Sequence, residues 1–149
     1  MNIFVLCFGY HYNDYENKPV RDYDSNDYRS HVNDIKLDVE KYHTKSPVFL
    51  IEPSPQHFAG KNKNGYWNGK EERCGPYADA ANAKSLDWRV NILNETTFPT
   101  NVKIVKVADM LYSQWDAHFN DLDCTHWCKL GGALEFIQNT LLLEMTDWL

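Results

Sequence analysis

The sequence predicts an α/β fold of three layers, a parallel sheet with helices on both faces. Strand-like and helix-like segments alternate, in the order strand, helix, strand, helix, strand, helix. The first two strand-like segments are continuous apolar runs, as in strands covered on both sides. The 149 residues suffice for one domain with a core and are too few for two.

Each element has its own signal. Residues 3–8, "IFVLCF", are rich in strand formers and lead into a polar loop, "GYHYND". From residue 25 to 43, Tyr28, Val32, Ile35, Val39 and Tyr42 recur at helical spacing and mark one inward face. Asp24 or Ser25 can cap that helix, and Pro47 lies just beyond it. "VFLIE", residues 48–52, is the second buried strand. A long loop rich in Gly, Asn and Pro follows, carrying His57, Trp67 and Cys74; loops of that length are usually functional or disordered. Residues 78–94 read as a helix through Ala83, Leu86, Val90 and Leu93. Residues 101–111 read as the third strand, with Val102, Ile104 and Val107 at its centre. A last helix runs over about residues 133–145, with Leu134, Ile137, Leu141 and Met145 inward. In such sheets ligands sit beyond the C-terminal strand ends. Those ends carry "GYHYND", "PSPQH" and "DLDCTHWC", so the three polar loops are expected to converge on one edge.

Composition narrows the function classes. Net charge is -6 with no basic block, which argues against a nucleic-acid partner. No apolar run approaches the roughly 18 residues that span a bilayer. "MNIFVLCFGY" lacks the basic flank and cleavage site of a signal peptide and reads better as a buried strand. Aromatics reach 14%, which fits either a flat-faced ligand such as a carbohydrate or a ring-filled core. Cys7, Cys74, Cys124 and Cys128 allow two disulfides, and Asn94-Glu95-Thr96 is a glycosylation sequon. Together these lean towards an oxidising, secretory compartment; the alternative is buried thiols and a chance sequon.

Residues 123–128 hold an acid, an imidazole, an indole and two thiols. Asp123 and His126 stand three apart, which on a helical turn puts them on one face. The carboxylate can then fix the ring's tautomer, leaving the other nitrogen as a general base. Zinc is the competing reading, with Cys74, Cys124, His126 and Cys128 as ligands, although the spacing departs from the usual Cys-x-x-Cys. A structural knot with a satisfied histidine is the third.

"DCTHWC" resembles the aspartate-histidine block of the plant trichome birefringence-like proteins, PC-esterases of the SGNH hydrolase superfamily. "SPQHF", then "GYWN" and Cys74, is similar to that family's Ser-Pro-x-His-Phe, Trp and Cys block. "VLCFGYHYND" is similar to its strand ending in Gly-His-Trp-Trp. The blocks occur in the family's order and span nearly the whole chain. The resemblance implies a Ser-His-Asp enzyme that moves acetyl groups between a donor and a polysaccharide, or hydrolyses them, in the Golgi lumen. It implies His126 as base, Asp123 as its orienter, and His57 and Trp67 along the cleft. Gly9, His11 and Asn13 would stand at the oxyanion hole. Disulfides at Cys124 and Cys128, with Cys74 as a partner for one of them, would steady the loop. No cofactor or metal is implied. Two departures stand out. After Cys128 the chain reads Lys129-Leu130-Gly131-Gly132 where the family has Leu-Pro-Gly, and the nucleophile's Gly-Asp-Ser is missing. Asp24-Ser25 is better explained as a helix cap, and nothing marks Ser54 as activated. The expectation is therefore the C-terminal part of an SGNH-like domain, lacking the first strands, with its serine and any membrane anchor upstream. The alternative is a non-catalytic fragment or degenerate paralogue that binds glycan through Trp67, Trp127 and nearby tyrosines.

Overall fold

Phe4–Cys7 (β1), Val48–Ile51 (β2) and Val102–Val105 (β3) form a parallel sheet of order β1-β2-β3 in the computed structural model. The structure describes residues 2–9, 12, 24–59, 65, 73–79, 82–128 and 132–148. Leu6 pairs with Leu50, and Leu50 with Ile104, so the strands run level. Successive side chains point to opposite faces. Val48 and Leu50 join Phe4, Val102 and Ile104 in one cluster; Phe49, Ile51 and Val105 join another.

Ser25–Tyr42 (α1) and Trp88–Glu95 (α3) cover the first face through Tyr28, Val32, Val39, Ile92 and Leu93. Gly132–Trp148 (α5) covers the second through Ala133, Phe136, Ile137, Leu141 and Met145, and Glu144 pairs with Lys103 of β3 at 2.9 Å. The described chain is thus a small three-layer α/β fold, as the alternating pattern predicts. None of its described helices is long and apolar enough to cross a membrane.

Local chemistry sets the helix limits. Asp24 starts α1 with a capping box: it accepts the N–H groups of Asn26 and Asp27, and Asp27 accepts the N–H of Asp24. Ser25 is therefore the first residue of a capped helix. The helix expected over residues 78–94 is interrupted. Ala83–Leu86 (α2) ends before Asp87, which caps α3 by accepting the N–H of Arg89. The third strand stops at Val105, and Ala108–Leu111 (α4) turns helical. The cause is Glu52 at the end of β2. Its buried carboxylate accepts the N–H groups of Val107 and Ala108 and so begins α4.

Three burial expectations are corrected. Tyr42 is 63% exposed, because α1 has passed the edge of its core by that turn. β1 is not covered on both faces: it ends the sheet, and Val5 is 44% exposed. Cys7, which the sequence reading placed in the interior, is exposed for the same reason.

Candidate active site

The loop after β2 is buried from Glu52 to His57, and several of its polar groups bond to other segments. The N–H of His57 donates to the carbonyl of Cys124 at 3.0 Å, and Gly75 donates to the carbonyl of His57 at 2.8 Å. Cys74 donates to the carbonyl of Asp121 at 2.8 Å and is disulfide-bonded to Cys124. The loop after β2 and the segment carrying Asp123 are therefore stitched together, as the convergence argument expects. Cys128 lies outside the disulfide and is half-buried, which corrects its expected pairing.

Residues 117–128 fold back on themselves. Phe119 donates to the carbonyl of His126 at 3.0 Å and Cys128 to that of Ala117 at 3.1 Å, with a bridge between His118 and Trp127. The tip is a pair of side-chain-capped turns and not the helical turn expected from the spacing. Asn120 accepts the N–H groups of Leu122 and Asp123. Asp123 accepts those of Thr125 and His126. The same turn brings the two side chains together. His126 Nδ1 lies 2.9 and 3.1 Å from the Asp123 carboxylate oxygens. Since a carboxylate only accepts, Nδ1–H donates and the neutral ring's lone pair resides on Nε2. The His126 side chain is 66% exposed and that of Asp123 34%. Partial burial raises the Asp123 carboxyl, but the hydrogen bonds and charge of His126 outweigh it and hold the group below its usual range. An oriented imidazole facing solvent is a competent general base towards a hydroxyl.

The other predicted positions divide. Gly9 lies buried at the C-terminal end of β1, beside this edge of the sheet. It has φ +113, and a Cβ there would sit 2.9 Å from that of Pro53. Its carbonyl accepts from Arg89 at 3.0 Å. His57 does not line an open cleft: it is 0% exposed, with Nδ1 at 2.7 Å from His118 Nε2 and Nε2 at 3.1 Å from the carbonyl of Tyr112. Desolvation pushes its pKa down to about 4. Trp127 is also interior, stacked on His118, so it offers no face to a glycan. His11, Asn13 and Trp67 lie outside the described residues. Ser54 is buried.

The zinc reading loses two of its four ligands, because the Cys74 and Cys124 sulfurs are bonded to each other. Among the described residues no group of three or more His, Cys, Asp or Glu side chains is placed to hold a metal ion. What sequence reasoning missed is His118, which ties His57 to the main chain of His126. The only sign was a polar residue in an aromatic-rich loop, 61 positions from its partner. Sequence reasoning also did not single out two exposed aromatics: Trp115 and Phe119 are 38% and 65% exposed, and Phe119 is bonded to the His126 carbonyl through its main chain. The chain matches no protein-family model, no curated protein and no solved structure.

Proposed function

We propose that this chain carries the base and its orienting acid for an acyl-transfer site acting on acetyl esters of polysaccharides. The observation that carries the reading is the His126–Asp123 contact at a solvent-facing loop tip. Asp123 holds the ring through Nδ1, and Nε2 takes the proton of an attacking hydroxyl. That hydroxyl belongs to a serine outside these 149 residues, since the sequence contains no Gly-Asp-Ser. A double displacement follows. The serine oxygen takes the acetyl group as the donor's acyl bond breaks and His126 returns the proton to the leaving group. A sugar hydroxyl or water then repeats the step. The sheet, helix order and sequence blocks support an SGNH-hydrolase-like arrangement, and the disulfide supports an oxidising compartment such as the Golgi lumen. Phe119, exposed beside His126, offers a ring for a sugar to stack on.

The test is acetyl transfer to, or release from, an acetylated polysaccharide by the chain together with the sequence encoded upstream of Met1. His126→Ala should lower turnover about a hundred- to ten-thousand-fold. Unchanged turnover removes His126 from the chemistry. A second reading, a non-catalytic glycan-binding module, is favoured by the missing Gly-Asp-Ser. It requires glycan binding by this chain with no acetyl turnover even when the upstream sequence is present.

A further inference from the structure

The fold-back over residues 117–128 sorts its side chains by face. Phe119 donates its N–H to the carbonyl of His126, and Cys128 donates to that of Ala117. His118 and Trp127 are the bridged pair between those two bonds. Both are buried, stacked with ring centroids 4.3 Å apart, so they take the inward face. Successive side chains alternate between faces, which gives Phe119 and His126 the outward one together. Their exposure agrees, at 65% for Phe119 and 66% for the His126 side chain. Residues opposed across such a bond have Cα atoms about 5.5 Å apart. A sugar lying on the Phe119 ring would therefore hold its hydroxyls beside the imidazole.

We propose that Phe119 is the acceptor platform of this site: it selects an uncharged sugar and holds it beside His126, so that acetyl transfer outruns hydrolysis. The inference deepens the proposed function and rests on it for the roles of His126 and the upstream serine. In the second half of the double displacement, His126 Nε2 takes the proton of an acceptor hydroxyl, whose oxygen bonds to the acetyl carbon. The bond from that carbon to the serine oxygen breaks, and the proton passes to the serine oxygen. Water can enter in place of the sugar, and it is in large excess. A sugar hydroxyl wins only where it is held in position. The C–H face of a pyranose packs flat on an aromatic ring, and Phe119 supplies that ring next to the base.

Charge narrows the kind of sugar. Asp116, Asp121 and Asp123 lie in or beside the fold-back, and the chain's net charge is -6. Arg73, the cation that reaches this segment, is paired with Asp121 at 2.6 Å. A uronate or a phosphorylated sugar meets like charge here, and a neutral sugar does not. Phe119 brings neither charge nor a hydrogen-bonding side chain, so what it offers is the face of its ring.

The test has two arms. In the first, the chain with its upstream sequence is given an activated acetyl ester and a neutral β-linked hexasaccharide of glucose, xylose or mannose, and acetylated sugar and free acetate are both counted. Phe119→Ala should lower the ratio of transfer to hydrolysis about two- to tenfold, the weight of one aromatic contact, and Phe119→Trp should keep it. Poor folding would lower both products together and leave the ratio where it was. A ratio indifferent to Phe119→Ala, or a wild type that only hydrolyses, overturns the platform. In the second arm, NMR of the 149-residue chain follows the Phe119 and His126 ring signals as the same hexasaccharides, and then a galacturonate hexasaccharide, are added. Expected is that a neutral sugar shifts both rings together and the galacturonate binds more weakly. Rings unmoved by every neutral sugar, or tighter binding of the galacturonate, overturn it. Turnover retained in His126→Ala counts against the base assignment alone, whereas His126-dependent turnover with an unchanged ratio in Phe119→Ala counts against the platform alone.

Discussion

Asp123 does two jobs with one carboxylate: it closes the turn through backbone N–H groups and it holds the His126 ring. Asp123→Asn keeps an oxygen for the turn and removes the charge that favours Nδ1–H. It should leave the melting temperature nearly unchanged and cut acetyl turnover on the order of a hundredfold or more. The lowered carboxyl gives a pH sign. A depressed acid contributes its stabilisation above its unfolded value and loses it as pH falls through the folded value. The Asp123–His126 contact should therefore persist to below the model-peptide value of 3.8, as followed by the carboxyl carbon's chemical shift. At Gly9, alanine would force a side chain onto φ +113 and against Pro53. Gly9→Ala should destabilise by about 1–3 kcal/mol, read from denaturant unfolding. The Asp123–His126 pair was legible because the partners are three residues apart, so any tight turn brings them together. The reason assumed, a helical turn, was wrong. The His57–His118 contact was illegible because it joins segments 61 residues apart and depends on how two loops pack.

Among the elements, the connections to the sheet matter most. The Cys74–Cys124 bond closes a span of 50 residues and clamps the segment that carries His126. By loop entropy such a closure stabilises by about 4 kcal/mol, so Cys74→Ala should lower stability by about 2–5 kcal/mol. A thermal melt with and without reductant checks this; equal melts would show that the bond is not formed. Arg89 is fully buried, doubly bonded to Asp87 and bonded to the carbonyl of Gly9, so it ties α3 to the end of β1. Arg89→Met strands a buried carboxylate and should cost about 3–5 kcal/mol. Asn94 Nδ2 donates to both Glu52 and the carbonyl of Val90. A glycan would replace one of those hydrogens, so in the folded protein the sequon and the core compete for one nitrogen. Intact mass should show residue 94 without a sugar. Helix α1 was legible almost to the residue, since its cap and stripe are local. The ends of β3 and the break before α3 were not. A buried Glu52 and a capping Asp87 decide them, and each acts through partners that the apolar periodicity does not encode.

For the whole molecule, the alternation of segments was enough for the layers and the parallel sheet. It did not reveal that β1 would lie at the edge with Val5 exposed, because coverage depends on where α5 comes to rest. The buried imidazoles also set a global pH response. His57 is held near 4 when folded and takes its ordinary value of about 6.5 when unfolded. The unfolded chain therefore binds protons first, and stability present above pH 6.5 is lost as pH falls towards 4. Thermal melts across that window should show it, and His57→Gln should flatten the slope. The proposed chemistry is most directly tested by a double-mutant cycle. Acetyl turnover is measured for the chain with its upstream sequence as wild type, Asp123→Asn, His126→Ala and the double variant. If the two residues act as one unit, the double variant is no slower than His126→Ala alone. Losses that multiply, or singles as fast as wild type, would contradict the account.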